Sequence, residues 1–161
     1  MLSKCVVVPA SVAECFAVAS NLEAYMDWCG GSGLEEVRIL ERGEDGRARK
    51  VAMVAGKFGL QTRNTLLYSY PPEHDQVVFE CVQGDVMPIL NGRYIFRDAG
   101  GEAGVPETEV TYELEIGFAM GIPGWTHAAL VGVILSTALE SFRSHIQRGG
   151  DVKSKWMGMQ P

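Results

Sequence analysis

Val110, Tyr112, Leu114, Ile116 and Phe118 alternate with Thr111, Glu113, Glu115 and Gly117, and the segment that follows drops that rhythm. A period of two over nine residues is a strand with one apolar and one wet face. From about 126 to 147 the apolar positions become Leu135, Leu139, Phe142 and Ile146, with a polar stripe at Ser136, Glu140, Arg143 and Gln147. That is the spacing of a helix lying on a core. A helix of about 22 residues is ~33 Å long. A ten-residue strand at about 3.3 Å per residue is of similar length. Gly117, Gly121, Pro123 and Gly124 supply the bend between the two. One long helix laid over the apolar face of a curved antiparallel sheet is an arrangement that encloses space.

The rest of the chain supplies the sheet. Residues 2–8 form a first strand that Pro9 stops. Ser11 N-caps a helix to about Ser20, and Asn21 caps a second short helix, Leu22 to Trp28, which Gly30, Gly31 and Gly33 end. Residues 34–42 and 47–57 make a hairpin around Gly43-Glu44-Asp45-Gly46. Further strands are predicted at 60–70, 76–84, 88–98 and 107–119, with Pro71-Pro72 and the loop 100–106 as breaks. The fold class is therefore α+β, with seven strands, two short helices after the first, and a long C-terminal helix. A single domain over 1–150 is expected, with 151–161 as a tail.

Composition narrows the function. The chain has 161 residues, 47% hydrophobic and 21% charged, which suits an ordinary globule with a real core. A net charge of −6 with scattered cations excludes a nucleic-acid binder, because phosphate contacts need clustered Lys and Arg. No apolar run approaches the ~20 residues of a membrane span. The run Cys5–Val8 is interrupted by Pro9 and Glu14, so no secretory signal is expected. The four cysteines, Cys5, Cys15, Cys29 and Cys81, lack CxxC pairing and sit among apolar neighbours. Buried, reduced thiols in the cytoplasm or an organelle matrix are the expectation, with a disulfide between two of them the other reading. No residues have metal-ligand spacing and no glycine-rich loop fits a nucleotide, so no metal or cofactor is expected.

Strand phase gives the interior. Val77, Phe79 and Cys81 face in on one strand, then Leu90, Gly92, Tyr94 and Phe96 on the next, then Tyr112, Leu114 and Ile116. For each residue plain core packing competes with a ligand role. One helix alone cannot fill the space over a sheet this long, so some of them should line a void of roughly 300–1,000 Å³. Gly92 leaves room, though a bulge or bend serves equally. The first half of the helix, Ala128 to Leu135, is apolar all round and needs cover on both sides. Either loops and short helices roof it, with Trp28 or Trp125 taking part, or a second copy does so in a homodimer.

Polar candidates are few. His127 follows Thr126, the expected N-cap, and is either an exposed first-turn residue or an imidazole at the tunnel mouth. His74 lies in the acidic turn Glu73-His74-Asp75, and His145 reads as surface. Arg63 and Asn64 are adjacent in a strand, so one points inward. An inward Arg63 needs a carboxylate such as Glu80 or a ligand oxygen. An outward Arg63 turns Asn64 toward a ligand carbonyl.

Four stretches in this order resemble a known superfamily: Tyr25-Met26-Asp27-Trp28; Thr62-Arg63-Asn64-Thr65-Leu66 leading to Pro71-Pro72; Leu90-Asn91-Gly92-Arg93-Tyr94-Ile95-Phe96; and Thr108-Glu109-Val110-Thr111-Tyr112. They are similar to the START-like, or SRPBCC, superfamily of polyketide cyclase/dehydrase and coenzyme Q-binding proteins. The resemblance spans nearly the whole chain. It implies a helix-grip fold, a seven-stranded antiparallel sheet gripping the C-terminal helix around a hydrophobic tunnel. It implies no shared catalytic residue, and coenzyme Q is not carried over as the ligand.

The expected ligand-lining set is Trp28, Met53, Phe58, Arg63, Asn64, Leu67, Phe79, Cys81, Leu90, Gly92, Tyr94, Phe96, Tyr112, Leu114, Ile116, His127, Val131 and Leu135. The leading expectation is a non-catalytic carrier or sensor of a lipid, quinone, isoprenoid or aromatic metabolite. A cyclase or dehydratase working largely by orientation is the alternative, drawing on Tyr94, Tyr112, Arg63 or His127. A protein-interaction module is the third reading.

Overall fold

The computed structural model describes residues 1–29, 33–57, 60–102 and 104–159, with side chains omitted at Lys57, Leu60 and 150–159. Seven strands form one antiparallel sheet: β1 (Leu2–Val8), β2 (Leu34–Arg42), β3 (Ala48–Lys57), β4 (Leu60–Ser69), β5 (Gln76–Gly84), β6 (Ile89–Asp98) and β7 (Thr108–Gly117). Their order is β1-β7-β6-β5-β4-β3-β2, so the first two strands in sequence are the two sheet edges. The chain crosses from one edge to the other through α1 (Val12–Ser20), a 3-10 turn (Leu22–Ala24) and α2 (Tyr25–Cys29). The long helix α3 (Gly124–Met159) packs on β1, β7 and α2. The predicted helix-grip architecture is the one observed.

Local chemistry explains the joints. Ser11 and Glu14 form a capping box that starts α1. Asn21 closes α1 through its backbone N–H to Val18 and makes no side-chain cap for the turn that follows. The β2–β3 hairpin turns through Gly46 at φ +83°, a conformation glycine adopts without steric cost. Asp45 steadies that turn through Arg47. Of the glycines expected to stop α2, Gly33 has φ +100°, while Gly30 and Gly31 fall outside the described residues.

Helix α3 departs from expectation at both ends. It begins at Gly124, and the His127 amide bonds the Pro123 carbonyl, so Thr126 lies in the first turn and is not the cap. It also runs past Gly149-Gly150, because glycine in a helix costs only about 1 kcal/mol against alanine.

Bulges bend the sheet. β5 carries one extra residue, Val82, where Thr65 faces Gln83 but Leu66 faces Cys81, and β2 carries further register shifts against β3. Each bulge raises local twist and curls the sheet around the helix. The core lies in this curl, and its densest part is aromatic. Phe142 of α3 is fully buried and meets Trp28, Tyr94 and Phe96 at ring distances of 5.3, 6.2 and 6.1 Å.

Candidate functional site

The interior is hollow. A cavity of about 350 Å³ lies between the sheet and the first half of α3. Its sheet wall is built by Met53 and Ala55 of β3, Leu66 and Tyr68 of β4, Phe79 of β5, Leu90 and Tyr94 of β6, and Tyr112, Leu114 and Ile116 of β7. The helix side is Leu130, Ile134, Thr137 and Ala138. Tyr25 and Cys29 of α2 contribute at one place, and Phe118, Met120 and Ile122 of the β7–α3 connection at another. A larger groove of about 620 Å³ runs between α2 and α3 past Asp27, Ser141 and Arg148, but it is open and polar. Apolar walls, not volume, single out the interior chamber.

Seven of the residues expected to line a void do so: Met53, Phe79, Leu90, Tyr94, Tyr112, Leu114 and Ile116. The others are placed differently, and each has a physical reason. Trp28 is buried beneath the second half of α3 against Phe142, where aromatic packing takes it away from the cavity. Phe96 stacks between Tyr94 and Phe142 in that same packed layer. Val131 and Leu135 are each 1% exposed and belong to the packed core; the cavity meets their neighbours Leu130 and Ile134. A 100° step per residue makes a one-residue shift enough to turn a side chain from the void to the sheet.

The phase around residue 63 is now fixed. Asn64, Leu66 and Tyr68 are buried, so Arg63 and Leu67 stand on the other face. Arg63 is exposed and reaches Gln61, with no ion pair to Glu80 among the described residues. Asn64 is inside, but its amide donates to the Met87 carbonyl at 2.7 Å and to the Cys81 sulfur at 3.3 Å. Those bonds tie β4 to the β5–β6 turn and occupy both Asn64 and Cys81. Gly92 does not make room: a Cβ there would lie 2.8 Å from the Phe79 ring and 2.5 Å from the Glu113 carbonyl. It permits close approach, and the space above it is filled. His127 is half-buried; its Nε2–H donates to the Ile116 carbonyl and its ring meets Phe118 edge-on, pinning the start of α3 to the end of β7. Trp125 is 79% exposed and roofs nothing. Phe58 lies outside the described residues.

Sequence reading missed Tyr68, Leu66, Tyr25, Cys29 and the β7–α3 connection. The adjacent Leu66-Leu67 pair hid the phase of β4, although Tyr68 and Tyr70 share a parity with Leu66. Tyr25 and Cys29 sit four apart on one face of a short helix, a spacing that sequence does show.

Besides Thr62, Thr137 and the Cys29 thiol, the polar groups of the cavity are phenols. Tyr94 and Tyr112 stack at 4.1 Å with planes 10° apart, and the Tyr25 and Tyr94 hydroxyls are 3.5 Å from each other. Burial, with the nearby phenols and the Cys29 thiol, pushes Tyr25, Tyr68, Tyr94 and Tyr112 well above the ordinary tyrosine value. Burial likewise raises the Cys29 thiol to about 12. Groups raised in this way are protonated at neutral pH and able to donate hydrogen bonds. None of the described residues lining the cavity is Asp, Glu, Lys, Arg or His. No disulfide joins the cysteines; Cys15 and Cys29 are buried and Cys81 half-buried, but Cys5, on the edge strand β1, is exposed against expectation. No cluster of metal-binding side chains occurs among the described residues. No described helix is long and apolar enough to cross a membrane.

Solved structures share this architecture. A START superfamily protein from Mycobacterium smegmatis superposes with a TM-score of 0.80 at 23% identity, over 91% of this chain and 97% of that one. The Zhui aromatase/cyclase from Streptomyces sp. R1128 gives 0.71 at 15% identity over 91% and 93%. The di-domain ARO/CYC StfQ of the steffimycin biosynthetic pathway gives 0.69 at 15% identity, over 94% of this chain and 46% of that one. At these identities the likeness is one of fold. No curated protein matches the sequence. The model of the polyketide cyclase/dehydrase and lipid transport family matches residues 2–147, and the chain belongs to that family.

Proposed function

We propose that this protein binds and shelters a hydrophobic small molecule in the chamber between its sheet and α3. The observation that carries this reading is the apolar cavity of about 350 Å³ between sheet and helix, within the size range of small-molecule sites. A chain of this length has ample apolar surface to fill its own centre, and keeping a void forfeits packing energy. Occupation by a guest offsets that cost. Native mass spectrometry and organic extraction of the purified protein, followed by titration with lipids, quinones and polycyclic aromatics, test the reading. A co-purifying or titratable guest supports it; a chamber that takes none of them overturns it.

A cyclase or dehydratase acting in the same chamber is the second reading, favoured by the row of protonated phenols. Such donors stabilise a developing enolate oxygen, and a shaped wall orients a reactive chain. The described lining offers no general base, so this chemistry would depend on orientation and hydrogen bonding. Product analysis with Tyr94→Phe and Tyr112→Phe separates the readings: a changed product distribution favours the enzyme, unchanged binding without turnover favours the carrier.

A further inference from the structure

We infer that the chamber selects an uncharged, flat ligand carrying a carbonyl or hydroxyl oxygen, and that the Tyr68 hydroxyl is the group that meets this oxygen. The inference rests on the proposed binding role and narrows it to a ligand class.

Charge is the first ground. The described lining holds no ionic side chain, and polar groups close to it are engaged elsewhere. Arg63 is on the opposite face of β4, reaching Gln61, and the His127 ring is bonded to the Ile116 carbonyl. A carboxylate or ammonium entering such a space loses its hydration and gains no counter-charge, which is among the costliest burials available. Ionised fatty acids and phosphate head groups are therefore disfavoured inside.

Hydrogen-bond accounting is the second. Asn64 is committed to Met87 and Cys81, Thr62 donates to Asn64, and Tyr25, Tyr94 and Tyr112 engage one another, which leaves Tyr68 and the helix residue Thr137 as the described lining hydroxyls without a protein partner. Tyr68 is 6% exposed, lines the cavity, and has no hydrogen-bond partner among the described residues. Nor is its oxygen sealed within protein: the one described buried side-chain polar atom sealed without a partner is the Trp28 indole nitrogen. The Tyr68 hydroxyl thus opens into an apolar chamber as an unused donor, and an acceptor on the guest satisfies it. Shape is the third ground. Tyr68, Phe79, Tyr112 and Tyr94 follow one another at ring distances of 5.6, 6.3 and 4.1 Å, an aromatic wall suited to a flat ring system.

Fluorescence titration of the full chain with pyrene, 1-hydroxypyrene, 1-pyrenecarboxylate and its methyl ester at neutral pH tests all three grounds. The ester should bind at least about 100-fold more tightly than the carboxylate of nearly equal shape. Hydroxypyrene should bind about three- to tenfold more tightly than pyrene, and Tyr68→Phe should erase that advantage while leaving pyrene affinity unchanged. Pyrene binding by the variant shows that its chamber is intact. Equal binding of carboxylate and ester, or an advantage that survives Tyr68→Phe, overturns this inference and leaves the carrier reading standing. Failure of all four probes to bind also overturns this inference, whereas the carrier reading falls only if lipids and quinones fail to bind too.

Discussion

The two halves of α3 cover the same sheet and do opposite things. From Leu130 to Ala138 the helix stands over a void, touching it with Leu130, Ile134, Thr137 and Ala138. Around Phe142 it is pressed onto rings, with Phe142 meeting Trp28, Tyr94 and Phe96. The difference lies in what the sheet offers beneath. Under the second half, Phe96 and the α2 residue Trp28 fill the curl. Under the first half, Leu90, Leu114 and Ile116 and the rings of Tyr68, Phe79 and Tyr112 line the sheet side of the chamber and leave it unfilled. One half therefore anchors the lid and the other half is the lid.

The largest test of that contrast is truncation on each side. Phe142→Ala removes a ring surrounded on all sides, and about 3–5 kcal/mol of stability should go with it in urea unfolding. Ile134→Ala removes atoms that already border empty space, so the loss should be nearer 1–2 kcal/mol. Equal losses would mean that the two halves are packed alike. Chamber filling should show the reverse ranking for binding. Ala138→Trp directs an indole into the void and should lower affinity for hydrophobic guests about 100-fold while shifting stability by no more than about 1–3 kcal/mol. Retained affinity in that variant would place the guest elsewhere.

These placements also show where sequence stops being informative. The seven strands, their order along the chain and the closing helix were legible because each rests on a local period: two for β7, three and four for α3. Half-residue questions were not. Val131 and Leu130 are both apolar, and so are Leu66 and Leu67; hydropathy cannot say which member of each pair meets the void. Register across the β4–β5 bulge at Val82 decides the second pair, and that bulge leaves no compositional trace. Gly92 read as space for a ligand because a missing side chain looks the same whether the room is kept or given to a neighbour. Only the position of Phe79 settles it.

Alkaline pH separates the chamber from a second buried site. Burial raises Cys29 to about 12 at the cavity wall, and raises Cys15 to about 11 in the packed region of α1 near Thr108. In both the neutral form is favoured in the fold, so their stabilising contribution is intact below the unfolded thiol value of 9.0 and is lost as pH rises toward the folded values. The raised phenols act in the same direction above the ordinary tyrosine value of 10.0. Stability should be level to about pH 8.5 and then fall by up to ~1.4 kcal/mol per pH unit for each group involved. Cys15→Ala should soften the early part of that fall without altering guest affinity. A bound guest should leave the Cys15 contribution untouched. Stability that stays flat to pH 11 would contradict the burial of these groups.

The smallest effect is expected on the outer face of the sheet. Arg93 pairs with Glu113 across β6 and β7, while the neighbouring inward pair, Tyr94 and Tyr112, builds the chamber wall. The arginine side chain is 44% exposed, so water screens the attraction and competes for both partners. Arg93→Gln should change stability by less than about 1 kcal/mol and guest affinity not at all. Because adjacent residues on a strand point to opposite faces, this is the sharpest positional control available: one step along β6 should separate a substitution that matters to the guest from one that does not. If Arg93→Gln weakened binding as Tyr68→Phe is expected to, affinity would be reporting sheet curvature and not the chamber wall.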